Sequence, residues 1–328
     1  MMKILKTSGG IFAVILIMFS LQGCPWLNKN YEFDYNIIVT ETANNMGDLN
    51  SAYDDWNSDL PFPYERSEIW FSSNRNSYGR EFDIVAGRLD LSYHEGHNIL
   101  DLSTGNEEYV ASAPALLPVI NSPHDELGPH SFLTGEDMLF LYASDPGEVF
   151  EIRFVELTRW NYGTGQTVSD PVSVAGLNES GDNLYPCIDA ENRKIYFCSN
   201  RDGLTYDIYS AQYNSPISKQ SLLDGDIAKI TKEAVSSGYD DKCPYIYGDF
   251  IVFASNREGS YDLWYSKKYH DEWMEPIKLQ PTINSEYNEY RPVLFQVLGV
   301  DLMVFSSDRP GGKGGYDLYI VKIGNYLN

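Results

Sequence analysis

Apolar and aromatic residues along this chain fall into short runs: Ile69-Trp-Phe71, Leu139-Phe-Leu-Tyr142, Ile195-Tyr-Phe197, Ile251-Val-Phe253 and Leu302-Met-Val-Phe305. Each run ends in a polar turn rich in Ser, Asn, Asp and Gly. Beyond the N-terminal leader the 3.6-residue period of an amphipathic helix is nearly absent. Short β-branched and aromatic runs punctuated by turn formers predict an all-β chain.

The runs belong to a repeated module. Its second half reads aromatic–x–Ser–Asn/Asp–Arg, then a Gly-containing turn, then Asp–Ile/Leu. It occurs as Phe71 to Arg75 with Asp83-Ile84, Phe197 to Arg201 with Asp207-Ile208, Phe253 to Arg257 with Asp262-Leu263, and Phe305 to Arg309 with Asp317-Leu318. A fifth copy, Tyr142-Ala-Ser-Asp145-Pro-Gly with Glu151-Ile152, has lost the Arg, which predicts a looser turn there. The first half is an Asn–Ser loop with an acidic pair: Asn50-Ser51 with Asp54-Asp55, Asn121-Ser122 with Asp125-Glu126, Asn178 with Asp182-Asn183, Ser236-Ser237 with Asp240-Asp241, and Asn284-Ser285 with Asn288-Glu289. A Pro usually follows, as a loop entering a strand requires.

The aromatic anchors at 71, 142, 197, 253 and 305 are spaced by 52 to 71 residues. About 55 residues hold four strands of ordinary length and their turns. A repeat of this kind cannot bury its faces alone and stacks on its neighbours. The last copy stops after Tyr316-Asp-Leu-Tyr-Ile-Val-Lys-Ile323, without a fourth strand, while Tyr35-Asn-Ile-Ile-Val-Thr40 precedes the first loop. The expected fold is therefore a five-bladed β-propeller, closed by an N-terminal strand that completes the last blade. Asn36–Thr40 is expected beside Leu318–Val321, which leaves no open sheet edge.

The module resembles the WD40-like repeat of the TolB type, in which aromatic–Ser–Asn/Asp–Arg is followed by Asp–Ile/Leu–Tyr. Tyr287-Asn-Glu-Tyr-Arg-Pro292 through Phe305-Ser-Ser-Asp-Arg-Pro-Gly-Gly-Lys-Gly-Gly-Tyr-Asp-Leu-Tyr319 is the best copy. That resemblance implies a propeller serving as a binding platform in the bacterial envelope. Such propellers are often fused to a peptidoglycan-binding domain, for which this chain has no room.

The ends and the charge add a location. Lys3 and Lys6 precede an apolar run from Ile11 to Leu21, too short to span a bilayer. Leu21-Gln-Gly-Cys24 resembles a lipobox, with lipid carried on Cys24. The predicted organisation is a lipoprotein signal peptide over 1–23, a lipidated tether over 24–34 and one propeller domain over 35–328. No Asp follows Cys24, so an outer-membrane anchor is expected, on the periplasmic or the surface-exposed face. The formal charge is −23, or −25 from Cys24 onward, since the leader carries two Lys and no acid. This argues against nucleic acid and against electrostatic adhesion to anionic lipid, and favours basic or cationic partners.

The repeated charges define the candidate sites. Arg75/Asp83, Arg201/Asp207, Arg257/Asp262 and Arg309/Asp317 flank one turn per blade and read as structural blade pairs. Asp55, Glu126, Asp182, Asp241 and Glu289 would ring the channel mouth, as turn caps, as a docking rim or as a calcium site. No other cofactor is implied, and no metal ligand set is spelled out. His94-Glu-Gly-His97 lacks the spacing of a zinc protease, and His124 and His130 add no pattern. The 91–118 stretch is the longest insertion, where specificity is often placed. Trp56, Trp160 and Trp273 could stack on sugars or fill gaps between blades. Gly311-Gly-Lys-Gly-Gly315 lacks phosphate-loop spacing. Cys187, Cys198 and Cys243 are expected as buried free thiols.

With every recurring motif explained by blade structure, the reading that follows is a non-enzymatic envelope lipoprotein. It would bind a protein or glycan partner through a propeller face. The alternative is a glycan-acting enzyme using carboxylates in the propeller funnel.

Overall fold

The structure is a computed structural model that describes residues 34–159 and 165–324. The leader, Cys24, the start of the tether and Trp160 lie outside the described residues. Among the described residues no helix is long and apolar enough to cross a membrane.

Five antiparallel sheets form the five blades of a propeller. The innermost strands are Asp55–Asp59, Glu126–Thr134, Asn183–Asp189, Asp241–Tyr247 and Glu289–Val297. The second strand of each blade carries the aromatic anchor. Phe71, Tyr142, Phe197, Phe253 and Phe305 are all buried, with aliphatic residues of adjoining sheets packed around them. One face of an isolated blade would leave this apolar surface in water, so the ring is stabilised by the seams between blades.

An N-terminal strand closes the ring, but it is a different strand from the one expected. Asn44 and Asn45 pair with Ile320 and Tyr319 as the fourth strand of blade 5. The β-branched run Ile37–Val39 instead pairs with Leu100–Leu102 as a fifth strand on the outer edge of blade 1. Burial explains the division. Met46 and Leu49 are sealed into the core with Leu318 and Ile320, whereas Ile38 at the middle of the 37–39 strand faces solvent, which suits an edge. Thr40 bridges the two blades, its carbonyl accepting the Lys322 N–H at 2.8 Å.

The 91–118 insertion forms the end of the third strand of blade 1, its outer strand Ile99–Gly105, and most of the helix Ala113–Ile120. Val110, Ala113, Leu116 and Ile120 pack with Trp70, Met138 and Phe140, so this segment wedges the seam between blades 1 and 2.

All five innermost strands share one irregularity. The third residue of each, Asn57, Gly128, Tyr185, Cys243 or Arg291, has φ between 45° and 58°, where the register with the second strand shifts. A bulge here redirects one side chain per blade. Gly128 answers a steric demand, because a Cβ at this position would collide with the Tyr185 ring.

Candidate functional site

The acidic loops do not form the open rim expected of them. Asp55, Glu126, Asp241 and Glu289 are completely buried. In blade 4, Asp241 Oδ2 accepts the Ser237 N–H at 2.5 Å and the Ser237 hydroxyl at 2.8 Å. Its Oδ1 accepts Arg257 Nη2 at 2.6 Å. Glu289 is held in the same way by Ser285, Ser307 and Arg309, and Asp55 by Ser51, Ser73 and Arg75. In blade 3 the corresponding residue is Asn183, which accepts Arg201 Nη2 at 2.6 Å. Asp182 sits one position earlier, half-buried, in a different role. The carboxylate oxygens are thus already engaged within their own loops, and no metal-like grouping of three or more His, Cys, Asp or Glu occurs among the described residues.

The Arg/Asp pairing is likewise corrected. Each Arg folds back over its own aromatic anchor, at 5.3 Å for Arg75 over Phe71 and 5.4 Å for Arg257 over Phe253, and so reaches the buried residue of its own loop, an acid in blades 1, 4 and 5 and Asn183 in blade 3. The Asp of Asp–Ile/Leu finds other donors. Asp83 accepts Asn76 Nδ2 (3.0 Å), Asp207 accepts Lys232 Nζ (2.6 Å), Asp262 lies 2.8 Å from Lys278 Nζ, and Asp317 accepts the Lys313 N–H (2.5 Å). This last bond fills the Gly311–Gly315 turn, which therefore cradles an anion from its own blade.

The first residue of each acidic pair clasps the preceding blade. Asp54, Asp125, Asp182, Asp240 and Asn288 each accept, through Oδ1, the N–H of Tyr316, Phe82, Phe150, Tyr206 and Tyr261 at 2.7–3.0 Å. The next residue returns its own N–H to the carbonyl of the same aromatic at 2.7–2.8 Å. These five half-buried aromatics all stand directly before the Asp or Glu that opens the third strand. They adjoin a second set of side chains just inside. Trp56 packs on Phe82 (5.2 Å between ring centroids), Tyr316 (5.1 Å) and Tyr290 (5.8 Å), and Tyr261 packs on Tyr290 (4.7 Å). Lys242 lies 4.0 Å from the Tyr206 ring centroid. This end of the ring is therefore lined by packed aromatic rings with carboxylates among them.

Blade 2 breaks the symmetry. Elsewhere the first loop residue and the turn residue that faces it are one acid and one amide: Asp54 with Asn74, Asp182 with Asn200, Asp240 with Asn256, and Asn288 with Asp308. In blade 2 both are acids, Asp125 donating its N–H to Asp145 Oδ1 at 2.9 Å. The tyrosine hydroxyls that cap Asp182 and Asp240 have no counterpart, because Phe150 stands where Tyr206 and Tyr261 do. Burial raises the Asp125 carboxyl above its ordinary range against the Phe82 N–H bond, and the Asp145 charge adds to the rise. Asp240 is driven the other way. Burial works to raise it, but Tyr261, the Tyr206 N–H and Lys242 together hold it below the ordinary value.

The same blade lacks the Arg, and burial pushes the Glu126 carboxyl up to about 7. A group raised on folding contributes stability that is complete below its unfolded value and is lost as pH rises through the folded one. Glu68, also pushed up to about 7 by burial, acts with the same sign. The melting temperature should therefore fall between pH 5 and pH 8. Pro146→Arg would let a guanidinium reach Glu126 as Arg257 reaches Asp241, adding about 1–3 kcal/mol at pH 8. The variant should show a flatter melting temperature against pH, with the Glu68 share left in place. An unchanged slope would contradict this account.

The remaining candidates are scattered. His94 Nε2 lies 3.0 Å from Asp101 on the edge of blade 1, and His97 and His124 are exposed. His130 is inside the ring, with Nε2 accepting the Ile188 N–H at 3.0 Å. Trp273 packs edge-on against Tyr196 at 6.3 Å, away from the mouth, while Trp56 is in it. Cys187, Cys198 and Cys243 are buried free thiols.

No protein-family model matches the chain, and no curated protein matches it in sequence. Solved structures do share its fold. The catalytic domain of a GH62 α-L-arabinofuranosidase from Coprinopsis cinerea superposes with a TM-score of 0.57 at 10% identity, over 88% of this chain and 98% of that one. An α-L-arabinofuranosidase from Podospora anserina gives 0.55 at 8% identity, over 87% and 96%. A GH43_1 enzyme from Xanthomonas citri gives 0.51 at 9%, over 86% and 90%. The likeness is one of fold, the five-bladed propeller. The expectation of a non-enzymatic scaffold is corrected on these matches, since the structures of like fold are named as GH62 and GH43 enzymes, while at 8–10% identity the fold is all they show of this chain.

Proposed function

We propose that this chain is a glycan hydrolase working at the aromatic mouth of its propeller. The observation that carries the reading is the acid pair of blade 2. Where four blades set an acid against an amide, this one sets Asp125 against Asp145. Acid–base cleavage of a glycosidic bond requires carboxyl groups in unlike environments, and here burial raises Asp125, with the Asp145 charge adding to the rise, while Asp240 is held below its ordinary value. Asp125, the carboxyl that burial raises above its ordinary range, gives its proton to the departing glycosidic oxygen as the bond to the anomeric carbon breaks. A water adds to that carbon and passes its proton to an ionised carboxylate, a role suited to Asp240, which its partners hold below the ordinary value against burial. The half-buried Trp56 and Tyr316 supply ring faces for the sugar, as aromatic side chains do in apolar, partly wet sites.

The TolB-type resemblance of the repeat fits an envelope protein. The lipobox adds a location: after removal of residues 1–23, Cys24 would carry lipid and a tether to residue 34 would hold the propeller on the outer membrane. The substrate would then be a glycan met there, and no nucleic acid is involved. The test is product release from a panel of oligosaccharides that includes arabinofuranosyl and xylosyl linkages, the sugars named for the structures of like fold. Reducing-end release above an Asp125→Asn control supports the reading. Release equal to that control across the panel sinks it.

A further inference from the structure

A buried arginine lies across the propeller axis without a counter-charge. Arg291, one of the left-handed bulge residues, is 0% exposed. It belongs to blade 5, yet its Nη2 donates to the Pro129 carbonyl (2.8 Å) and the Pro186 carbonyl (3.4 Å), and its Nε points to the Ser58 carbonyl at 3.5 Å. Those carbonyls come from the innermost strands of blades 2, 3 and 1, so the side chain crosses the centre. Nη1 has no partner, and neither has Ser58 Oγ on the strand it approaches.

A guanidinium removed from water is costly unless its charge and its N–H groups are both met. None of the described carboxylates forms an ion pair with Arg291. Asp59 is buried nearby, but its Oδ2 accepts the Ser131 N–H at 2.9 Å and the Ser131 hydroxyl, and its Oδ1 faces His130 Nδ1 at 3.3 Å. The neighbouring thiols supply no charge, since burial pushes Cys187 up to about 11 and raises Cys243 as well. Carbonyls meet three of the five N–H groups, and no described carboxylate touches the guanidinium to balance its charge. Water could meet the other two, but only an anion meets both needs. We propose that the axis holds a small monovalent anion of the chloride class, bound by Arg291 Nη1, with the unpartnered Ser58 hydroxyl and Asn57 amide of the blade 1 strand as further donors. This is independent of what happens at the aromatic mouth.

The test uses bromide as probe. Crystals of the protein grown or soaked in bromide should show an anomalous peak within hydrogen-bond distance of Arg291 Nη1. In solution, raising bromide or chloride from 1 to 100 mM at constant ionic strength, with gluconate as the balance, should raise the melting temperature by roughly 2–4 °C. Arg291→Met should lose that rise whatever its starting stability. Should that variant not fold, Ser58→Ala with the parent's bromide map decides, a weakened rise being expected. Equal melting in gluconate and bromide, or an axis without a peak, overturns the proposal. A peak with no thermal response marks an adventitious ion and counts against it equally.

Discussion

Asp125→Asn is expected to lower turnover by roughly 10²–10⁴-fold, the usual share of a general acid, while the fold survives. Survival follows from the repeat itself. Blade 5 already carries an amide at this position, Asn288, and its Oδ1 accepts the Tyr261 N–H at 3.0 Å just as Asp125 accepts that of Phe82. The companion change is more telling. Asp145→Asn restores the acid–amide pair of blades 1, 3 and 4 and removes a like charge, so the variant should melt at or above the parent. Without that charge Asp125 titrates lower. Less of it is protonated at neutral pH, and the descending limb of kcat against pH should move towards acid. A variant that is more stable, slower at pH 7 and shifted in its pH profile separates a working acid from a merely structural one. If turnover and profile are unmoved in Asp145→Asn, the acid pair has no part in chemistry.

Much of the architecture was legible because the module occurs five times, so that chance resemblance at one copy is averaged out by the others. Aromatic anchors, polar turns and the shared spacing all point to stacked blades, and the blades are there. What failed was assignment within the module. Asp54-Asp55 and Asp240-Asp241 are chemically identical neighbours, and nothing in the letters says which of the two turns inward. Blade 3, with Asp182 followed by Asn183, then invites the wrong choice, because it is the amide that meets Arg201. The Arg partners failed for a related reason. Arg257 precedes Asp262 by a few residues and follows Asp241 by many, yet the turn geometry favours the distant one. The ring of Phe82, Phe150, Tyr206, Tyr261 and Tyr316 did leave a signal, an aromatic directly before each third-strand acid. It reads as ordinary strand composition until the clasp between blades gives it a place. Arg291 stood in view within Tyr-Arg-Pro, but only the bulge aims it at the axis. Fivefold repetition suggests equivalent environments, whereas one degraded copy is enough to set Asp125 in a different one.

Ring closure separates two adjacent segments by their expected cost. Met46→Ala should destabilise by about 2–5 kcal/mol, since Met46 is 0% exposed at the seam and its loss leaves a cavity beside the closing strand. At a few degrees per kcal/mol for a chain of this size, the melting temperature should fall by roughly 5–15 °C. Ile38→Lys, eight residues earlier, should be nearly neutral, because Ile38 is 56% exposed on an outer edge where a Lys also discourages strand addition. Had the β-branched run closed the ring, the order would reverse, since Ile38 would lie within the seam of blade 5. The pairing of Asn44 and Asn45 with Ile320 and Tyr319 has almost no side-chain pattern behind it. Its hold comes from backbone bonds, from Asn50, which accepts the Leu318 N–H at 2.8 Å and donates to its carbonyl at 3.0 Å, and from Met46 and Leu49 beneath. Thermal melts of the two variants decide the matter: a large loss at Ile38 with little at Met46 would place the closing strand where the sequence pattern first put it.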